Sequence, residues 1–189
     1  KEISMGKLYP DSEVELTPRL AKYYDNFLQI FSLGLYGRFI NKAIDMINIQ
    51  PHDRILDLGA GSGKNALIME KYLSEKGRII GLEISEEMIT QFRKKSQNMA
   101  NISVQNQRID KPFNFKNKFD IIFISFVLHG FPQEIRKIII DNAYRALKNA
   151  GKFIIIDFNE FNLEQEPFYF RIPFKIIECK YDGLVKSRN

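Results

Sequence analysis

The chain has 189 residues, 44% of them hydrophobic and 27% charged, with a net charge of +5. That length suits one domain with a well-buried core, and the composition is that of a globular protein rather than a disordered or fibrous one. Every apolar run is interrupted by charge before it could span a bilayer, and basic residues interleave with acids, as at Glu70-Lys71 and Glu75-Lys76, so a solvated surface is expected and no nucleic-acid partner. Lys1 to Lys7 lack the apolar segment of a secretory signal. The lone cysteine, Cys179, cannot form an internal disulfide and suits a reducing cytoplasm. One cysteine and two histidines make a metal site unexpected.

In chain order, Leu16 to Asn48 has helical periodicity with a break at Ser32-Leu33-Gly34. Leu20, Tyr23, Tyr24, Phe27, Leu28 and Phe31 form one stripe; Phe39, Ile40, Ala43, Ile44 and Ile47 form another. Pro51-His52-Asp53 is a turn. A short strand, residues 54–58, runs straight into Gly59-Ala60-Gly61-Ser62-Gly63. A helix over 64–75 follows, burying Leu67, Ile68 and Leu73, with Gly77 as its stop. The second strand covers 78–82 and Glu83 stands at its end. Ser85 suits the N-cap of the next helix, Glu86 and Glu87 its positive end, and Met88, Ile89 and Phe92 its apolar face. A third strand covers 102–106. Lys111-Pro112-Phe113 breaks the pattern. The fourth strand, 119–125, is apolar enough to be buried on both faces. Ile135, Ile138, Ile139, Ala143, Ala146 and Leu147 mark an amphipathic helix. Asn149-Ala150-Gly151 then turns into a fifth strand over 152–158.

Strands alternating with helices predict a Rossmann-like α/β fold, a doubly wound, mostly parallel sheet with helices on both faces. One domain is expected over 1–189, with 1–50 as a helical N-terminal cover. Ligands of such sheets bind beyond the carboxyl ends of the strands, where strand order reverses. Functional residues should therefore stand just after strands.

Asp57-Leu58-Gly59-Ala60-Gly61-Ser62-Gly63 is the first such place. Glycines let the backbone turn tightly and approach a ligand, and the helix beyond offers free N–H groups. A dinucleotide fingerprint, G-x-G-x-x-G, needs its third glycine at position 64, which is Lys64. Asp57 would also repel a pyrophosphate, whereas it suits a cation. Glu83 follows Gly59 by about 24 residues, near the spacing of about 20 that places an acid on a ribose. That feature points to an adenosine ligand of either kind.

The spacing Asp57 to Gly63 resembles the first motif of class I methyltransferases, D-x-G-x-G-x-G. The resemblance continues through Glu83, through Gln107 to Phe113, through Phe119 to His129, and through Leu147 to Ile155. Farther upstream, Tyr24-Asp25 and Ser32-Leu33-Gly34 are similar to the ubiquinone/menaquinone biosynthesis C-methyltransferases. The chain departs from that family twice. Gln107 stands where an acid usually contacts adenine, with Asp110 as the alternative, and Leu128-His129-Gly130 replaces an Arg-Asn pair.

The resemblance implies S-adenosyl-L-methionine (SAM) as cofactor, held by Asp57, Gly59, Ala60, Gly61, Gly63, Glu83, Ile84, Gln107, Arg108 and Ser125. It places the loop after the fourth strand beside the methyl-transfer centre. His129 is the candidate base, since histidine exchanges protons near neutral pH, and a packing role is its alternative. Tyr24 is a second candidate for the chemistry. With Phe27, Phe31 and Tyr36 it lines either an acceptor pocket or the core of a helical lid. The aromatic stretch Phe168 to Ile177 covers that pocket or makes transient contact with a membrane surface. His52 reads as surface.

Three functions follow. The first is C- or O-methylation of a small apolar or aromatic molecule such as a quinone precursor. The second is methylation of a lipid head group or other small amine. The third is an NAD-dependent oxidoreductase or a non-catalytic nucleotide binder, against which Asp57 and the glycine spacing argue. The family fold closes with an antiparallel strand pair, but residues 159–189 have room for one helix and one strand, so residues are expected to be absent around Cys179 to Tyr181.

Overall fold

The computed structural model describes residues 35–157. Tyr24, Phe27, Phe31, the 168–177 stretch and Cys179 lie outside the described residues, as does the side chain of Tyr36. Four helices and five strands follow in order, alternating except that no helix separates β3 from β4: α1 (Leu35–Asp45), β1 (Arg54–Leu58), α2 (Lys64–Glu70), β2 (Arg78–Glu83), α3 (Glu86–Lys95), β3 (Ile102–Asn106), β4 (Phe119–Ser125), α4 (Gln133–Ala146) and β5 (Leu147–Ile156). A 3-10 turn, Leu128–Gly130, lies between β4 and α4. No described helix is long and apolar enough to cross a membrane.

The sheet runs β3-β2-β1-β4-β5 and every pairing is parallel. Strand order therefore reverses between β1 and β4, and the carboxyl ends of those two strands define the binding crevice of such a sheet. Both sheet faces are buried. On one, Ile40 and Ile44 of α1, Ala66 and Met69 of α2 and Phe92 of α3 pack on Ile55, Ile79, Ile121 and Phe123. On the other, Ile139, Ala143 and Ala146 of α4 pack on Leu56, Leu58, Ile122 and Ile124. The nearly continuous apolar strands follow from this two-sided burial.

Three sequence expectations change. Helix α2 stops at Glu70 rather than residue 75. The N–H of Tyr72 donates to Met69 O and that of Leu73 to Glu70 O, and Ser74 then gives its N–H and hydroxyl to Pro51 O at 2.8 and 2.9 Å. A distant carbonyl draws the chain off the helix, and Leu73 stays half-buried. Strand β5 begins at Leu147 rather than 152, with register slipping between Phe119↔Leu147 and Ile121↔Lys152. The expected turn is thus an excursion within the strand, with Ala150 at φ 62. Two residues of the predicted apolar stripes, Phe39 and Ile138, are exposed. Buried Asn142 occupies part of the α4 inner face instead, because its amide donates to Ile109 O and Lys111 O. Ser85 does cap α3, its hydroxyl accepting from the Met88 N–H.

Gly81 shows how tightly the glycine loop lies on the sheet. A Cβ there would sit 2.7 Å from Ala60 Cβ and 2.9 Å from Phe92 Cε2. Gly81→Ala is expected to destabilise the protein by about 1–3 kcal/mol through overpacking. Urea unfolding measures this, and an unchanged midpoint would show that the loop has slack.

Candidate active site

Asp57 lies near the end of β1 and is 1% exposed. Its Oδ2 is buried with no hydrogen-bond partner among the described residues. Burial, and then the charge of Glu83, push its carboxyl from 3.8 up to about 7. A carboxylate left in this state is costly unless a cation or donor meets it. Directly after it, Gly59, Gly61 and Gly63 all have positive φ, at 67, 54 and 81. L-residues rarely adopt that conformation, which explains three glycines in five positions. A Cβ on Gly59 would strike Val127 and one on Gly63 would strike Phe92, whereas Gly61 faces open space. Gly61 is therefore the point of the loop that a ligand can approach.

The loop is tied to β2. Gly59 N–H and Ala60 N–H both donate to Leu82 O, at 2.9 and 3.0 Å. Glu83 Oε2 accepts the Gly61 N–H at 2.9 Å, and Oε1 accepts those of Ile84 and Ser85 at 2.8 and 2.9 Å. The backbone oxygen of Glu83 accepts the Gln107 N–H, drawing the end of β3 to the same rim. Asp110 is held elsewhere. Burial pushes its carboxyl up, but the hydrogen bonds and charge of Arg108 outweigh this and hold it below its ordinary value. Arg108 Nε and Nη2 donate to its two oxygens at 2.9 and 2.7 Å. That bidentate pair occupies Asp110 and leaves Gln107 as the polar group nearer the rim.

The chain after β4 forms the opposite wall. Ser125 Oγ accepts from Asn65 Nδ2 at 2.8 Å, linking β4 to the first turn of α2. Phe126 has φ 54, a conformation that costs a non-glycine residue energy and that concentrates at functional sites. Its N–H donates to Ile156 O, so the strained residue is clamped by β5. Val127 packs against Gly59. His129 follows in the 3-10 turn rather than at the strand end itself. Its Nδ1 lies 2.6 Å from Asp157 Oδ1, and its N–H donates to Asp157 Oδ2 at 3.1 Å. Arg136 donates from Nη2 to His129 O and from Nε to Phe131 O.

The crevice between the ends of β1 and β4 thus gathers Asp57, the glycine loop, Glu83 and Ser125, with Gln107 and His129 on its flanks. Sequence reasoning missed Asn65, Arg136 and Asp157. Asp157 alone carried a signal, as an acid near the carboxyl end of the predicted fifth strand. His52 is exposed at the opposite end of β1, with Nδ1 2.9 Å from Ser74 Oγ. No group of three or more potential metal ligands occurs among the described residues.

A sheet with this order, an acid near the end of β1 followed by a glycine loop, and an acid at the end of β2 define a class I methyltransferase fold. The family model described as a methyltransferase domain matches residues 49–179, and the chain belongs to that family. The Rickettsia typhi ubiquinone/menaquinone biosynthesis C-methyltransferase is 36% identical over 152 residues, covering 75% of this chain and 58% of that protein. The chloroplastic 2-phytyl-1,4-beta-naphthoquinone methyltransferase of Arabidopsis thaliana is 27% identical over 150 residues, covering 76% of this chain and 56% of its own length. The chain therefore spans a little over half of these relatives. A SAM-dependent methyltransferase from Aquifex aeolicus shares the fold at a TM-score of 0.65 and 20% identity, covering 88% of both chains.

Proposed function

We propose that this protein is a cytoplasmic SAM-dependent methyltransferase acting on a small apolar acceptor of the quinone-precursor type, with residues 1–189 forming one domain. The observation that carries the cofactor is Asp57: a buried acid with an orphaned oxygen beside a glycine loop open only at Gly61. The α-ammonium of SAM supplies the cation this acid lacks. The relatives, whose names specify quinone methylation, support the acceptor class.

When bound, SAM would supply an activated methyl group carried on a sulfonium, ready for transfer to an electron-rich acceptor atom. The chain's residues hold and align. Gly59 to Gly63 present backbone to the methionine portion. Glu83 accepts from the ribose hydroxyls, and Gln107 reads the adenine edge through its amide. Ser125 and the Phe126–Leu128 segment wall the reacting centre against water, and His129 takes the proton the acceptor loses.

Glu83 has three backbone N–H donors on a carboxylate with about four acceptor positions. One acceptor position is thus left for a ribose hydroxyl, and a second hydroxyl would have to take the place of one of the three N–H donors. Calorimetric titration of the full chain tests the assignment. S-adenosylhomocysteine should bind and NAD should not. Glu83→Ala should weaken binding roughly tenfold or more, since a charge-assisted bond contributes about 1.5–3 kcal/mol. NAD binding without a S-adenosylhomocysteine signal would end the methyltransferase reading, and unchanged affinity in folded Glu83→Ala would misplace the ribose.

A further inference from the structure

Strands β4 and β5 are neighbours, with Ser125 paired to Ile156. The residue after Ile156 is Asp157, and the chain after Ser125 turns through Phe126 to His129. Adjacent strand ends thus bring together two side chains 28 residues apart. Asp157 is mostly buried, with its side chain 14% exposed, whereas that of His129 is 36% exposed. Each carboxylate oxygen has its own role: Oδ1 meets the imidazole at Nδ1, and Oδ2 accepts the backbone N–H of the same residue. This two-point grip fixes ring and backbone together. Arg136, in the first turn of α4, holds the flanking carbonyls of His129 and Phe131.

We infer that Asp157 is the positioning residue of the methyl-transfer centre: it keeps the His129 proton on Nδ1, so that Nε2 is the basic nitrogen that receives the acceptor's proton. The inference rests on the reading of His129 as the acceptor-side base and adds the group that sets its tautomer. A carboxylate has no proton to give, so a neutral imidazole against Oδ1 carries its hydrogen on Nδ1. The alternative tautomer would put two lone pairs face to face at 2.6 Å. During turnover Nε2 gains the proton, and the imidazolium that forms lies against an anion. The same carboxylate thus orients the base and stabilises its charged form, as in the acid–histidine pairs of hydrolases.

Asp157→Asn is the sharp test. The His129 N–H stays a donor, so the amide oxygen turns to it and the NH₂ turns to Nδ1. Nδ1 must then accept, the ring proton moves to Nε2, and the base is inverted with little change in shape. Nitrogen NMR of the full chain with ¹⁵N-histidine, at alkaline pH, reads this directly. Two histidines are present, and the His52→Gln variant assigns them. The expected result is an Nδ1–H ring in the unaltered protein and an Nε2–H ring in Asp157→Asn. The same neutral tautomer in both would overturn the inference. In activity, Asp157→Asn should lower kcat by about 10²–10⁴, with KM and S-adenosylhomocysteine affinity nearly unchanged and partial recovery in Asp157→Glu. A tautomer switch with undiminished kcat would also overturn it. Failure of the methyltransferase reading itself would appear separately, as absence of S-adenosylhomocysteine binding in the unaltered chain. If Asp157→Asn fails to fold, the NMR of the unaltered protein still decides, because an Nε2–H ring there refutes the assignment.

Discussion

His129→Ala is expected to lower methyl transfer by about 10²–10⁴, the range for removing a positioned general base, while S-adenosylhomocysteine affinity stays within about twofold. The split between turnover and affinity follows from position. The proposed cofactor contacts come from the ends of β1 and β2, where Glu83 Oε2 accepts the Gly61 N–H and Leu82 O accepts those of Gly59 and Ala60. The histidine sits across the crevice, in the turn after β4, where Asp157 meets its ring and Arg136 donates to its backbone oxygen. Removing the ring leaves the backbone grip of Asp157 on the His129 N–H intact, so the turn should persist. Stopped-assay turnover and calorimetric affinity on the same variant provide the test. A loss shared equally by both would assign His129 to cofactor binding, and a loss tracking a lower melting temperature would assign it to packing.

What the sequence made readable was local. Asp57 and the three glycines lie within seven consecutive positions, and the strand before and helix after them are periodic enough to locate the motif without a fold. Glu83 was legible for the same reason, because the interval from the glycines is set by one helix and one strand. The partner of His129 was not, since the β4–β5 register is what places Ile156 beside Ser125. The end of α2 was equally hidden: the carbonyl that captures Ser74 belongs to Pro51, before β1. The pairing of Asp110 with the Arg108 fork two residues along was likewise hidden. The open orientation of Gly61 against the crowded Gly59 and Gly63 depends on Val127 and Phe92, which arrive from elsewhere in the chain. Repeating patterns along the backbone reveal elements and motifs. Contacts closed by tertiary structure decide which motif residue has a free valence.

Asp57 ties stability, acidity and cofactor affinity together. Its carboxyl is protonated in folded and unfolded chains below its ordinary value of 3.8, and there it makes no pH-linked difference. From 3.8 to about 7 the unfolded chain ionises while the folded one stays neutral. The folded state then binds the extra proton, so stability falls as pH rises across this window. Above it the loss is complete, on the order of 4 kcal/mol at about 1.4 kcal/mol per pH unit. Asp57→Asn has a neutral side chain of the same shape and lacks this slope. The ligand-free variant should therefore gain several kcal/mol over the unaltered protein at pH 8 and almost nothing at pH 3.5, by urea unfolding of the full chain. Asp110, held low by Arg108, and Asp120 of β4, where the bonds and charge of Lys148 outweigh burial, act in the opposite sense but are common to both proteins and cancel in the difference. On the proposed reading, binding should reverse the preference, because the cofactor's α-ammonium would favour the carboxylate form of Asp57. Uptake of S-adenosylhomocysteine near pH 6 should release a proton, measured as a dependence of binding heat on the ionisation heat of the buffer. Its affinity should rise with pH until about 7 and then level, and Asp57→Asn should bind weakly without proton release. A stability difference that is flat with pH would show that Asp57 ionises normally, and buffer-independent binding heats in the unaltered protein would show that the ligand's cation lies elsewhere. On the proposed reading, the cation of the cofactor is what gives this buried, unpaired acid its use.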